Sequence, residues 1–299
     1  MIFYQFPPLP DEHIYSWLTR LYWLSGFPDF NSFQRSLGLS EKLLKPNKVF
    51  ESSIISVARL AVANGRIEGT LGNHTPFSFW SIAVPQLSNL NEALIEQAAQ
   101  NNRHMNEQLV FNSDGSWLSC RQCREEDFNR YGVSYWHMSH QLTSVACCAQ
   151  HGQRLEFSVD PVKNLFTGVL PHHVRDWCKV RRESCRSIDC WEAFVLEVSR
   201  LCGANQSFAT SVFERIDNYL GLEQHNLSRL KRECDALTPE FESAVKGSIL
   251  RHVFRSYAKD QKDNLLYKLF SKQNTRLKVR NPVFILVVAY WLRQEIGLL

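Results

Sequence analysis

The stretch SCRQCREEDFNRYGVSYWHMSHQLTSVACCAQHGQRL, residues 119–155, decides how this chain is read. It holds two tight pairs, Cys120-x-x-Cys123 and Cys148-x-x-His151. A Cys-x-x-Cys pair sets two thiolates on one turn, close enough to grip one ion, and Cys148-x-x-His151 offers the same grip from the other side. Four N/S ligands in a tetrahedron suit Zn2+ and leave no position for water. The expectation is one structural zinc on Cys120, Cys123, Cys148 and His151, stabilising the fold by on the order of 10 kcal/mol. Cys147 sits beside Cys148 but lacks the two-residue spacing to His151. The 24 residues between the pairs are enough for a small hairpin with Tyr135, Trp136 and Leu142 as its own core. Glu125, Glu126 and Asp127 read as a solvated acidic turn.

Just downstream, PHHVRDWCKVRRESCRSIDC, residues 171–190, offers His172, His173, Cys178, Cys185 and Cys190. The spacings are loose, with six and four residues between successive cysteines. A second zinc on these residues stands against free cysteines beside a basic turn. Cys202 and Cys234 lie on apolar helix faces and read as core.

Upstream, DEHIYSWLTRLYWL is an amphipathic helix with Asp11 as its N-cap. Ile14, Trp17, Leu18 and Leu21 make one apolar stripe, and Gly26 and Pro28 end it. Further helices are expected over 29–37, 51–64, 77–85 and 89–101, with a turn-rich boundary at 112–116. Helical patterns return at 191–201, 207–220, 224–235, 239–257, 260–270 and 282–296. The fold class is therefore mainly α. An N-terminal helical domain spans 1–116, a zinc-binding region 117–190, and a basic helical domain with a helix-turn-helix-like pair 191–299.

Charge supports that division. Residues 226–299 carry 14 Lys/Arg against 7 Asp/Glu, whereas residues 1–118 carry 8 against 10. The last quarter is the side suited to a polyanion. Within it and just before it, residues 207–234 read helix, Gly221 turn, helix. The second helix offers Gln224, Ser228, Arg229, Lys231 and Arg232 to DNA, as a recognition helix does. An ordinary hairpin with a solvated basic face is the alternative.

The chain has 299 residues and nine cysteines. MIFYQFPPLP has neither a basic n-region nor a long apolar h-region, so no secretory signal is expected. Reduced thiols and a cytoplasmic, nucleoid-associated location follow as expectations. The longest strongly apolar run, VFILVVAYWL at 283–292, has ten residues, too few to span a bilayer. Phosphate-loop, H-E-x-x-H and G-x-S-x-G motifs are absent, and no acidic spacing identifies a nuclease.

The central stretch resembles the hallmark segment of the TniQ/TnsD family of transposon target-selection proteins. There a CPxC pair leads to an ExD stretch, a YW-x-x-x-HQL run and a CPxHG-x-x-L close. The matching residues are Cys120, Cys123, Glu126, Asp127, Gly132, Tyr135, Trp136, His140, Gln141, Leu142, Cys148, His151, Gly152 and Leu155. Arg121 and Ala149 stand where the family has proline. The N-terminus is similar to the family's opening at Pro8, Pro10, Glu12, Ser16, Trp17, Arg20 and Gly26. NPVFILVVAYWL is similar to a late apolar segment of TnsD-type members.

The resemblance implies a target-site selection adaptor of a Tn7-like transposon, and no enzyme. Its implied partners are DNA, read directly or through a CRISPR effector complex with guide RNA, and a TnsC-like AAA+ ATPase regulator. Phe3, Tyr4, Phe6, Tyr22, Trp23, Phe27 and Phe30 suit the ATPase interface, with residues 2–10 ordered by that partner. A homodimer is left open. The rival class is a zinc-stabilised helix-turn-helix transcription regulator, followed by a zinc-dependent nuclease.

Overall fold

Helices dominate the chain, as expected. The computed structural model describes residues 6–39, 52–62, 67–84, 111, 115–160, 168–222, 226–261, 264–271 and 281–298. These fall into two compact units: residues up to 77 with 115–181, and residues 78–84, 111 and 182–298. The helix expected over 89–101 lies outside the described residues.

The first unit begins with α1 (Ile14–Ser25). Ile14, Trp17, Leu18 and Leu21 are all buried, so the apolar stripe is the core face. Gly26 closes the helix at φ 73, a left-handed conformation that glycine adopts without steric penalty. The N-cap differs from expectation. His13 caps, its Nδ1 accepting from Tyr15 N at 3.2 Å. Asp11 is turned away at φ 55, and its carboxylate accepts from Ser139 N at 3.1 Å and Ser139 Oγ at 2.5 Å. A distant partner thus outcompetes the local cap. α2 (Phe30–Ser36), α3 (Ser52–Ala61) and α4 (Glu68–His74) follow, and α5 (Phe77–Trp80) begins at the last residue of this stretch and runs into the second unit. Both α2 and α3 pack on α1.

Between the two ligand pairs lies a helix, α6 (Arg121–Tyr131), where a hairpin was expected. RQCREEDFNR has no helix breaker, and Gly132 ends the helix at φ 71. Three short antiparallel strands flank it in the order β1 (Leu118–Ser119), β2 (Glu156–Ser158), β3 (Trp177–Lys179). Leu118 pairs with Phe157, and Phe157 with Cys178. Arg124 of α6 ties helix to sheet: it meets Glu156 at 2.6 Å and lies 3.9 Å over the Trp177 ring.

The boundary expected near residue 116 does not divide the first unit, because the N-terminal segment is built into the Cys/His region. Glu12 bridges to His137 as an isolated antiparallel pair, with His13 N donating to Trp136 O at 2.8 Å and Met138 N to Asp11 O at 2.6 Å. Trp136 N donates to Ser16 Oγ at 2.9 Å, and Tyr135 OH to Pro10 O at 2.9 Å. Arg20 forks onto the buried Glu12 carboxylate at 2.8 and 2.7 Å. Trp17 Nε1 donates to Phe6 O at 2.9 Å. Residues 6–10 are therefore seated by their own chain, not left for a partner to order. Residues 2–5 lie outside the described residues.

The second unit is helical: α7 (Arg186–Ala204), α8 (Gln206–Leu220), α9 (Leu227–Val245), α10 (Gly247–Val253), α11 (Arg255–Ala258), α12 (Leu265–Ser271) and α13 (Pro282–Leu292). α13 is the apolar run, and α7, α8, α9 and α12 all pack on it. It is buried nearly all round, from Val283 to Leu292. Asn281 caps it by accepting from Val283 N at 3.0 Å, and Pro282 fits the first position, where no N–H is needed. No helix of the described residues is long and apolar enough to cross a membrane. α9 runs unbroken through Pro239, where two helices were expected. Cys202 and Cys234 are fully buried, and burial pushes their thiols up to about 12 and about 11. Both belong to the core, as read from the sequence.

One buried cation holds the N-terminal segment down. His137 Nε2 lies 2.9 Å from Asp127, and its Nδ1 lies 3.3 Å from Asp11. Burial pulls its pKa down, but the Asp11 and Asp127 carboxylates outweigh burial and raise it to about 9. A raised histidine pKa contributes stability that is whole below the unfolded value near 6.5 and lost as pH rises through about 9. The shift corresponds to about 3 kcal/mol. The wild type should therefore lose thermal stability between pH 6.5 and 9 relative to His137→Asn. Melting both proteins across that range checks this; parallel curves would remove the clamp.

Candidate metal centre

Cys120, Cys123, Cys148 and His151 converge. Their ligand atoms all lie within 4.8 Å of one another. Cys123 Sγ is 3.3 Å from His151 Nδ1 and 3.6 Å from Cys148 Sγ; Cys120 Sγ and Cys148 Sγ are 3.5 and 3.7 Å from the same nitrogen. A tetrahedron with metal–sulfur bonds of about 2.3 Å and a metal–nitrogen bond of about 2.0 Å has S···S edges of about 3.8 Å and S···N edges of about 3.5 Å. These four edges fit that figure, and the other two are no longer than 4.8 Å. The three cysteines are buried and His151 is half-buried.

Local structure explains the convergence. Cys120 is the N-cap of α6 and Cys123 sits in its first turn, so both sulfurs face the positive end of the helix dipole. Arg121, in place of the family's proline, occupies the first helical position. Proline is favoured there but not required. It pairs instead with Glu125 at 3.0 Å on the exposed face. The second pair sits on a tight turn: Gly152 N donates to Cys148 O at 2.8 Å with Gly152 at φ 63, and Cys148 N donates to Gln153 O at 2.8 Å. Glycine is needed at that φ. Leu155, fully buried, packs with Cys120, Cys123 and Cys148 and shuts the site from below.

The thiols cannot all ionise unaided. Hydrogen bonds from the Cys123 and Cys148 thiols hold Cys120 far below the usual thiol range. Cys120 in turn, with Cys148 and burial, drives Cys123 far above it. A divalent cation relieves this repulsion. All four corners would then be protein atoms, so the ion would have no water to activate.

The acidic run is not a solvated turn. It lies on α6, and two of its three carboxylates serve the site. Glu126 Oε1 accepts from His151 Nε2 at 3.0 Å, fixing the tautomer that turns Nδ1 toward the sulfurs. Asp127, buried, holds His137. Glu125 and Glu126 are both exposed, Glu125 pairing with Arg121 and Glu126 with His151. The signal was in the spacing: Glu126 and Asp127 stand three and four residues after Cys123, on its own helix face. His140 is also buried here, its Nε2 at 3.7 Å from Cys123 Sγ. Burial, with the charge of His137 beside it, pushes His140 down to about 3, so the ring is neutral.

The second cluster does not assemble. Among the described residues the Cys120 group is the one set of three or more that could hold an ion. His172 Nδ1 meets Ser134 at 3.3 Å, and His173 lies tilted against Trp23 with ring centres 4.4 Å apart. Cys178 is exposed on β3, Cys185 caps α7 and Cys190 is exposed on it. With no tight pair, each residue follows its own element.

Of the residues offered to DNA, Ser228, Arg229, Lys231 and Arg232 are exposed on the first turns of α9; Gln224 lies outside the described residues. α8 ends at Gly221 (φ 62), as the turn required. α8 packs on α7 and α13, and α9 on α12 and α13, rather than chiefly on each other as a helix-turn-helix pair does.

These features define a class: a mainly helical protein whose N-terminal body is stapled by a Cys3His knuckle with a closed shell. A family model described as TniQ matches residues 3–155, just over half of the chain, and the chain belongs to the TniQ family. No curated protein matches it. Membership gives it a general role in target selection for Tn7-like transposition, in a family of adaptor-type domains without catalysis.

The site yields a direct ligand test. Cobalt(II) titrated into the reduced full chain should give one thiolate-rich tetrahedral spectrum per chain. Cys148→Ser should abolish it and Cys147→Ser should keep it. Glu126→Ala should weaken binding by about 10–100-fold. The opposite behaviour of the two cysteine variants would reassign the ligands.

Proposed function

We propose that the chain is a target-site adaptor whose knuckle carries structural Zn2+, and that it joins target DNA to an AAA+ ATPase regulator of transposition. The observation that carries this is the interlock. The family's N-terminal residues Glu12, Ser16, Trp17 and Arg20 and its central residues Tyr135, Trp136 and His151 build one body with no open metal position. Such a body suits presentation of surfaces, not chemistry. Three thiolates and one imidazole favour zinc over harder ions.

DNA is met through the exposed basic turns of α9, with Arg229 and Arg232 foremost. The 14-to-7 excess of basic over acidic residues after 225 supports this. The pair of Arg229 with Glu233 is long, at 3.8 Å, and exposed, so it costs little to break. The ATPase is met through the N-terminal body. Of the aromatics expected at that interface, Phe30 is buried and Phe6 packs against Trp17, whereas Trp23 is 51% exposed beside Leu24 at 71%. Phe3 and Tyr4 lie outside the described residues. Trp23 and Leu24 are thus the anchor for the regulator.

Two experiments test this reading. Arg229→Ala with Arg232→Ala should weaken DNA binding and reduce the salt slope by about 2. Unchanged footprints on bare DNA, with copurification of a guide-RNA complex, would make the target reading RNA-guided. Trp23→Ala with Leu24→Asp should abolish ATPase loading while metal content stays at one. DNA binding without any ATPase recruitment in the wild type would favour a transcription regulator.

A further inference from the structure

One imidazole outside the four ligands reaches the sulfurs. His140 sits in the 3-10 turn Ser139–Gln141, 2% exposed, with Nε2 at 3.7 Å from Cys123 Sγ. Its Nδ1 is buried and has no hydrogen-bond partner. A neutral imidazole carries one N–H and one bare lone pair. With the proton on Nδ1, a buried donor would be orphaned and a lone pair would face a metal-bound thiolate. With the proton on Nε2, the thiolate receives a hydrogen bond and only an acceptor goes unpaired. The second arrangement avoids both penalties. The ring is not a ligand, because Cys120, Cys123, Cys148 and His151 already fill four corners.

We propose that His140 is a positioning residue of the metal centre, donating Nε2–H to the Cys123 thiolate. The proposal rests on the metal reading above. Three thiolates on one divalent ion leave a net negative charge in a buried place, and Cys123 is among the buried three. A donated N–H draws density from that sulfur. It makes the sulfur less nucleophilic and slows its exchange off the metal. Gln141 secures the turn that carries the ring: its Nε2 donates to Leu118 O and to His137 O, both at 2.8 Å, and its Oε1 accepts from Leu118 N at 3.0 Å. His140 and Gln141 thus form one device, a donor and its support.

The test uses the full chain loaded with cadmium-113. Side-chain 1H–15N spectra should show His140 protonated at Nε2, with that proton coupled to the metal through sulfur. Protonation at Nδ1 would overturn the proposal, and this holds even if every variant fails to fold. Among variants, His140→Leu should speed metal release to a chelator and iodoacetamide alkylation of the loaded protein by about 10–100-fold. His140→Gln, whose amide N–H can take the place of Nε2–H, should restore both rates most of the way. Wild-type rates in His140→Leu would reduce the ring to core packing and overturn the proposal. A chain that takes up no cadmium overturns the metal reading itself, and does so before any variant is made.

Discussion

Three thiols and an imidazole packed within 4.8 Å are the constraint on which the first unit depends. Such a group repels itself once more than one sulfur ionises. It holds together when a cation takes the charge, and the free energy of that binding is folding free energy. Everything around the group serves to aim it. The N-terminus of α6 receives Cys120 and Cys123, a left-handed glycine turns His151 back, Glu126 sets the ring's tautomer, and Leu155 closes the floor.

The same helix spreads that constraint outward. Cys123, Arg124, Glu126 and Asp127 are neighbours on α6, and each reaches a different element. Arg124 reaches β2 and β3 through Glu156 and Trp177, and Asp127 reaches His137. His137 in turn holds Asp11 at the entry to α1. Fixing α6 by its first turn therefore fixes the sheet and the seat of the N-terminal segment together. This is why Glu12, Ser16, Trp17 and Arg20, about a hundred residues or more from the knuckle in sequence, belong to the same body.

The convergence of Cys120, Cys123, Cys148 and His151 was legible because paired spacing is a local property, and so was the α1 stripe, which follows the helical period. What failed to read was decided at a distance. Asp11 has the chemistry of an N-cap but gives its carboxylate to Ser139 and His137, 128 residues on in the first case. The acidic run looked like solvated surface because its partners, His151 and His137, lie on other segments. The helix of α6 was missed for a different reason: two cysteine pairs suggest a hairpin, whereas most residues just after Cys120 are sound helix formers. The second Cys/His cluster had residues without tight spacing, and the fold used them separately. The basic turn-linked helices exist, but α8 leans on α7 and α13 and α9 on α12 and α13, tertiary preferences that charge and turn signals do not carry.

Specificity has to reside outside the shared pattern. Most side chains that mark the family in this chain are buried: Glu12, Ser16, Trp17, Cys120, Cys123, Asp127, Tyr135, Trp136, His140, Gln141, Leu142, Cys148 and Leu155. Buried residues cannot touch a partner without unfolding, so the shared pattern encodes the body and not its choices. Choices belong to exposed side chains that the pattern leaves free. On the proposed reading these are Trp23 and Leu24 on the first unit and the basic turns of α9 on the second. A large apolar side chain left half in water is unfavourable on its own by roughly 1 kcal/mol or more, and becomes favourable when a partner covers it. On that reading the knuckle gives the first unit its frame, and the exposed residues outside the pattern would let the chain answer to one target and one regulator.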